Sequence, residues 1–242
     1  MPKISILAPV HTSNAREGYS ERFLVEYFSA LMGQTLKDFE IIVADHSEGD
    51  GLKKICDAFS YVLDIKYFKN DYMRGSTAAN INFAIKHASG EILKILFMDD
   101  FFVDPEGLQL TYDQFQENPE GNWLVSGFVN CNEERTEFFD ARLPWYGNPV
   151  VNGDNTTGNP STYAVRRECA LEMDEHLKYV VDGEYFFRSF YYLGAPLMVS
   201  KVILCFRLHP DCNFFKQELR DLEAYERQYC VEKFQKIEQD KL

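Results

Sequence analysis

Short aliphatic runs alternate with stretches whose apolar positions recur every three or four residues, and this alternation fills roughly the first hundred positions. Ile4 to Pro9 reads as a strand. Ser20 then precedes a helix carrying Phe23, Leu24, Tyr27, Phe28 and Leu31 on one face and stopped at Gly33. Glu40 to Ala44 predicts the next strand, Leu52 to Phe59 a helix, and Leu63 to Phe68 a third strand. Ser76 caps a helix through His87, Gly90 ends it, and Ile92 to Met98 is an almost continuous apolar strand. Strands apolar along their whole length, separated by helices, predict a parallel sheet covered on both faces. Such doubly wound sheets bind ligands outside the carboxyl ends of their strands.

Beyond Pro105 the pattern predicts a helix to about Glu117 and a strand from Trp123 to Val129. From Asn130 to Ser161 the periodicity gives way to Asn, Gly, Pro and aromatics, which predicts long loops, either binding loops or disordered segments. Order returns with a strand at Thr162 to Val165, a helix from Asp182 to Leu193 stopped by Gly194, and a strand from Val199 to Phe206. Residues 215 to 242 predict a last helix with Phe215, Leu219, Leu222, Tyr229 and Ile237 on one stripe, read as a surface helix packed on the domain.

Charge changes the picture next. There are 25 Lys plus Arg against 38 Asp plus Glu, a formal charge of −13, which argues against nucleic acid as a partner because such affinity needs clustered cations. A phosphate ligand would have to be met locally, by a metal, a helix N-terminus or one or two basic side chains. Six cysteines without a C-x-x-C pair suggest neither a zinc knuckle nor a redox motif. The start MPKISILAPV lacks a signal architecture and no apolar run reaches the ~20 residues of a membrane helix, so the expectation is a cytoplasmic protein without a transmembrane segment.

Three features carry candidate chemistry. Asp99 and Asp100 directly follow the strand ILKILFM, and paired carboxylates there call for a cation or for donors. Oxygen ligands suit Mg²⁺ or Mn²⁺, while the plainer alternative is a turn in which Asp100 or Asp104 caps the next helix. In VDGEYFFR, Asp182 opens an aromatic helix either as an N-cap or as a catalytic base. In FRLHPD, Arg207 and His209 share one face of a strand end, where His209 is structural or joins a metal-diphosphate site.

These motifs resemble family 2 glycosyltransferases from about Ile4 to Phe215. APVHT stands where that family has a Pro-x-Tyr-Asn-like segment, QTLKDFEIIVADHSEGD resembles its QTxxxFEIIVVDDxSxD run, and NFAIKHASGEI resembles the element before the metal-binding strand. The resemblance implies an α/β fold of GT-A type, with a Rossmann-like, mostly parallel central sheet flanked by helices and a C-terminal helix. It implies a nucleotide-sugar-binding half at 1–104, an acceptor-binding and catalytic half at 105–214, and the packed helix at 215–242. By the same resemblance, Pro9, His11, Asp45 and Asn82 contact the donor, Asp99 lies near the ribose, Asp100 and His209 hold Mn²⁺ or Mg²⁺, and Asp182 is the general base of an inverting transfer. His11 replaces the usual Tyr, His46 a second Asp, and Phe97 the first carboxylate of a longer motif.

The implied donor is a nucleotide-diphosphate sugar, with a UDP-sugar placed first, and the acceptor a glycan, a lipid-linked molecule or a protein. Trp145, Tyr146, Asn148, Asn152 and Asn155 are the candidate acceptor contacts. Two other readings stay open: a sugar nucleotidyltransferase, whose Gly-rich basic loop is matched here only by Arg16 and Gly18, and a non-catalytic sugar-binding module.

Overall fold

Strand β1 (Ile4–Val10) is buried at every position because it has a strand on each side and a helical layer on each face. The computed structural model describes residues 1–12, 16, 18–145 and 156–239. Parallel to β1 lie β2 (Phe39–Asp45) and β4 (Ile92–Ile95), and β3 (Ile65–Lys69) continues the parallel set beyond β2. One face is covered by α1 (Tyr19–Met32), α2 (Gly51–Phe59) and α4 (Gly107–Glu117), whose Leu24, Phe28, Leu52, Leu108 and Phe115 join one core. The other is covered by α3 (Thr77–His87), α5 (Val181–Leu193) and α7 (Glu223–Gln239), which contribute Ile81, Phe186 and Phe234 to a second core. The two-faced burial expected of continuous apolar strands is therefore present, in an α/β architecture whose mostly parallel first half carries helices on both faces.

Capping follows the sequence. Ser76 Oγ accepts the Ala79 N–H at 3.2 Å, and Gly18 takes the left-handed conformation (φ 75°) that starts α1. Gly90 is needed for close approach, since a Cβ there would stand 2.6 Å from the Ser5 backbone nitrogen.

The second half departs from the expected pattern in three places. Strand β4 ends at Ile95, after which residues 97–100 turn (Asp100 N–H to Phe97 O, 3.1 Å) into a two-residue strand, β5 (Phe101–Phe102). Within the stretch expected to be loop, β6 (Trp123–Asn132) runs on and pairs with an antiparallel strand β7 (Phe138–Arg142), which is exposed along its length and so lacks an apolar face to betray it. The final helix is broken into α6 (Gln217–Arg220) and α7, and its inward positions are Glu226, Cys230 and Phe234, one residue out of phase with part of the expected stripe.

The remaining strands, β8 (Ala164–Arg166) and β9 (Leu197–Leu208), complete a mixed sheet of order β3-β2-β1-β4-β8-β6-β9-β5, with β7 beside β6. Helix α7 packs by stacking Phe234 on Phe187 at 3.7 Å and by Glu226, whose carboxylate accepts the backbone N–H groups of Lys178, Tyr179 and Val180. Among the described residues no helix is long and apolar enough to cross a membrane.

Glu40, inside the motif FEIIVAD, is a structural hub. Its buried carboxylate accepts from Ser5 Oγ (2.5 Å), Ser89 N–H (2.7 Å), Ser89 Oγ (2.9 Å) and the Lys66 ammonium. Burial alone would raise its pKa, but Lys66, Ser5 and Ser89 outweigh it and bring the value down to about 2. A depressed carboxylate stabilises the fold above its unfolded pKa, and that contribution is lost as pH falls toward the folded value. Glu40→Gln is expected to cost about 1–3 kcal/mol in urea unfolding at pH 7. The gap should narrow between the ordinary pKa of 4.5 and about 2. An equal gap at pH 7 and at the acid end of that window would contradict this account.

Candidate functional site

The carboxyl ends of the parallel strands are tied into one corner. As β1 ends, the Thr12 N–H donates to Ser47 Oγ at 2.9 Å, and His46 N–H donates to Val10 O at 2.9 Å, so the chain leaving β1 is laced to the chain leaving β2. Asp45, opposite Val10 in the register, is buried; it accepts from Ser47 N–H (2.7 Å), Tyr67 Oη (2.6 Å) and Lys69 Nζ (3.4 Å). From α3, Asn80 Nδ2 donates to Ala44 O at 2.8 Å. His46, where the family carries a second Asp, is buried between Asn70 Nδ2 (3.0 Å) and the Gly75 N–H (3.3 Å), and that burial lowers its pKa. Pro9 is buried within β1. His11 is open to solvent within this recess; the surrounding protein lowers its pKa, against the pull of Asp99 and Asp45.

The second corner is set by β5. It pairs antiparallel with β9, Phe101 opposite Cys205 and Phe102 opposite Leu204, which sets the preceding Asp99–Asp100 turn beside the end of β9. Asp100 then points inward. It is buried, and its Oδ2 accepts from Ser161 Oγ at 2.6 Å and Asn159 Nδ2 at 2.8 Å, with the Arg207 N–H as a further donor. Burial and then the Asp99 charge push its pKa well up, while these three donors pull it down. Asp99 is the carboxylate that faces out, with Oδ2 3.0 Å from His209 Nε2. Asp100, assigned to the metal from the resemblance, is thus engaged with the donors of a turn, and Asp99, assigned to the ribose, meets the histidine.

His209 is 8% exposed, packed edge-on against the rings of Tyr19 (5.6 Å) and Phe23 (5.1 Å). Arg207 shares the face expected of it but turns to α1, pairing with Glu26 at 2.6 Å and lying over Phe23 at 4.0 Å. Next to His209 stands Cys212, unflagged by any sequence motif, and the ligand atoms of Asp99, His209 and Cys212 all lie within 4.8 Å of one another. Burial and then Asp99 push the Cys212 thiol up to about 12. One carboxylate, one imidazole and one sulfur at this spacing fit a divalent cation.

Behind the corner is a buried lysine. Lys94 Nζ donates to Ser161 O, to Ile95 O (3.2 Å) and to Tyr163 O (3.3 Å), holding the 160–162 turn that carries Ser161 to Asp100. Burial brings its pKa down to about 7, with Asp100 acting against that shift. The signal was a lone Lys in ILKILFM; Asn159 and Ser161 had none.

Asp182 lies in the first turn of α5 but is not its cap. Val180 occupies that position without a side-chain hydrogen bond, and Asp182 Oδ1 accepts the Gly183 N–H at 2.9 Å. The last turn of α5 meets the start of β6, through Trp123 Nε1 to Gly194 O (2.8 Å) and Asn122 Nδ2 to Leu193 O (3.0 Å). Strands β6 and β4 run the same way, each antiparallel to β8, so the first turn of α5, ~18 Å from its last, lies toward the carboxyl-end edge. Glu184 turns inward to Arg188 and Lys233.

Asn82 is not brought to either corner. Its amide is taken up by Met173 N–H (2.7 Å), Met173 O (2.9 Å) and Glu175 Oε1 (2.9 Å), which fastens α3 to the segment before α5. Of the candidate acceptor contacts, Trp145 is exposed; Tyr146, Asn148, Asn152 and Asn155 lie outside the described residues.

Comparison with known proteins adds to this geometry. Residues 5–173 match the family model described as Glycosyl transferase family 2. The chain is 26% identical over 136 residues to the Streptococcus pneumoniae "Glycosyltransferase GlyG", covering 56% of this chain and 42% of that protein. It is 31% identical over 102 residues to the Campylobacter jejuni "GalNAc(5)-diNAcBac-PP-undecaprenol beta-1,3-glucosyltransferase", covering 41% of this chain and 30% of that protein. The chain thus spans less than half the length of these two curated relatives. Among solved structures, S. aureus TarS 1-349 in complex with UDP superposes with a TM-score of 0.69 at 17% identity, over 95% of this chain and 64% of that one. The Pyrobaculum calidifontis mannosyltransferase PcManGT, in complex with GDP-Man and Mn²⁺, gives 0.61 at 14% identity, over 88% and 59%. At these identities the likeness to solved structures carries the fold.

The division of labour between the two aspartates is testable by paired variants. Asp99→Ala should weaken Mn²⁺ binding in the presence of UDP about 10-fold or more, measured by calorimetry, with a Tm change of no more than ~2 °C. Asp100→Ala should instead lose about 4–10 °C of Tm, because Ser161, Asn159 and Arg207 are left without their acceptor. The reverse ordering would give the metal to Asp100 rather than to Asp99.

Proposed function

We propose that this chain, which belongs to glycosyl transferase family 2, moves a sugar from a nucleotide-diphosphate donor to an acceptor hydroxyl with inversion at the anomeric carbon. The observation that carries this reading is the convergence of the Asp45–His11 corner and the Asp99–His209 pair on the carboxyl-end edge of a doubly wound sheet. The first suits a nucleoside and the second a diphosphate.

At the nucleoside corner His11 presents an imidazole whose lowered pKa favours the neutral ring, a stacking surface for a base. Asp45 already accepts three protein donors, and since a carboxylate offers about four acceptor positions, one remains for an N–H of the base. A uracil N–H fits that single position, which keeps a UDP-sugar first among donors. TarS was crystallised with UDP-GlcNAc and PcManGT with GDP-Man, so the fold accommodates more than one nucleotide.

At the diphosphate corner Asp99 and His209 would hold the cation, Mn²⁺ or Mg²⁺ by the family's habit, and Asp100 would keep Asp99 aimed at it from behind. When bound, that cation supplies the positive charge that offsets the departing diphosphate, which a chain of net charge −13 lacks. Asp182, at the first turn of α5, would take the proton of the acceptor hydroxyl as that oxygen attacks the anomeric carbon. A single displacement inverts the centre, and no second nucleophile is needed.

Asp182→Asn is expected to lower kcat by ~10² to 10⁴-fold while the donor Kd changes within about threefold. Glu184→Gln should behave differently. Because Glu184 anchors Arg188 and Lys233, its loss should lower Tm and leave most of kcat at a temperature where the variant is folded. Near-normal turnover by Asp182→Asn, measured by release of the nucleoside diphosphate, would remove it as the base.

A further inference from the structure

The turn after β9 folds back on itself. Cys212 N–H donates to His209 O at 3.0 Å, His209 N–H lies 3.4 Å from Cys212 Sγ, and the thiol donates in turn to Arg207 O at 3.4 Å. These three contacts fix the sulfur beside the imidazole, and His209 is itself fixed by the rings of Tyr19 and Phe23. His209 Nδ1 is buried and has no hydrogen-bond partner among the described residues, while Nε2 meets the Asp99 carboxylate, and the ligand atoms of Asp99, His209 and Cys212 lie within 4.8 Å of one another.

Resting on the reading of Asp99 and His209 as a cation site, we propose that Cys212 is a third protein ligand there, making a carboxylate–imidazole–thiolate site that prefers a borderline cation such as Zn²⁺ or Co²⁺ to Mg²⁺. Oxygen-only sites suit Mg²⁺ and Mn²⁺, whereas sulfur shifts preference toward softer ions, and Zn²⁺ commonly takes this mixed set. Binding forms one S–metal bond and breaks one S–H bond, with the proton passing to solvent. The expected Mg²⁺ or Mn²⁺ site held a carboxylate and an imidazole; the sulfur adds a softer donor beside them.

The test is titration of Co²⁺ into the reduced full chain, with and without UDP, followed by the thiolate-to-cobalt charge-transfer absorption in the near ultraviolet. The band should appear at one Co²⁺ per chain, be displaced by Zn²⁺ but not by an equal concentration of Mg²⁺, and vanish in both Cys212→Ser and His209→Ala. Zn²⁺ affinity should fall about 10-fold or more in Cys212→Ser, with Mn²⁺ affinity changing far less. Should the serine variant fail to fold, iodoacetamide labelling of wild-type Cys212, read by peptide mass, should be slowed by Zn²⁺. Co²⁺ that competes with Mn²⁺ but gives no band, a band surviving in Cys212→Ser, or unprotected labelling of Cys212 overturns the thiolate and leaves the cation site standing. Absence of any Co²⁺ or Mn²⁺ binding, with or without UDP, overturns both.

Discussion

Asp100 is a carboxylate enclosed in protein at the point where the fourth strand gives way to a turn, and the way its charge is answered shapes the edge of the sheet around it. Ser161 and Asn159 reach it from the turn before β8, and the Arg207 backbone reaches it from the end of β9. Lys94 holds the carbonyls of that same turn from beneath. Leaving a buried carboxylate without donors is costly, so three segments distant in sequence are drawn to one place. Asp99, next in the chain, is thereby turned outward onto His209.

Charge supplies the second constraint. A chain with thirteen more acids than bases repels a diphosphate at long range, and much of its cationic surface is engaged elsewhere: Arg207 with Glu26, Lys233 with Asp174 and Glu184, Lys66 with Glu40. At the carboxyl-end edge Lys69 is engaged by Asp45, and the proposed site answers the diphosphate with a cation instead. Outside it, the polar motif residues serve the scaffold: Glu40 knits β1 and β2 to the turn before β4, Asn82 fastens α3, and Glu226 steadies the entry to the helix that bears Asp182. The fold positions its chemistry through buried carboxylates that accept both side-chain and backbone donors.

The parallel half was legible because both faces of its strands are buried, which leaves runs such as EIIVAD and ILKILF in the sequence. Strand β5, two residues long, and strand β7, exposed throughout, leave no such trace, and the inward turn of Asp100 depends on Ser161 and Asn159, far along the chain. The Asp99–Asp100 pair and the FRLH element marked the right neighbourhood, but a pair of adjacent carboxylates in a turn has no periodicity from which to tell inside from outside. Cys212 was invisible for a related reason: its relation to His209 is a three-residue turn through Pro210, not a spaced motif. Asn82 sat in a motif that resembled a donor contact, and only packing against Met173 and Glu175 shows its amide already engaged.

The central claim is that one cation at the Asp99–His209 corner joins the protein to a nucleoside diphosphate. Paramagnetic broadening by Mn²⁺ tests it most directly, in amide spectra of the 28.1 kDa chain recorded with and without UDP. On this account substoichiometric Mn²⁺ with UDP broadens the amides of Asp99, His209 and Cys212 first, the ³¹P resonances of UDP broaden with them, and the amides of the far end of the sheet, around Asn122 and Gly194, stay sharp. Broadening centred elsewhere on the acidic surface, or the same amide broadening in a protein lacking both the Asp99 carboxylate and the His209 imidazole, would contradict it.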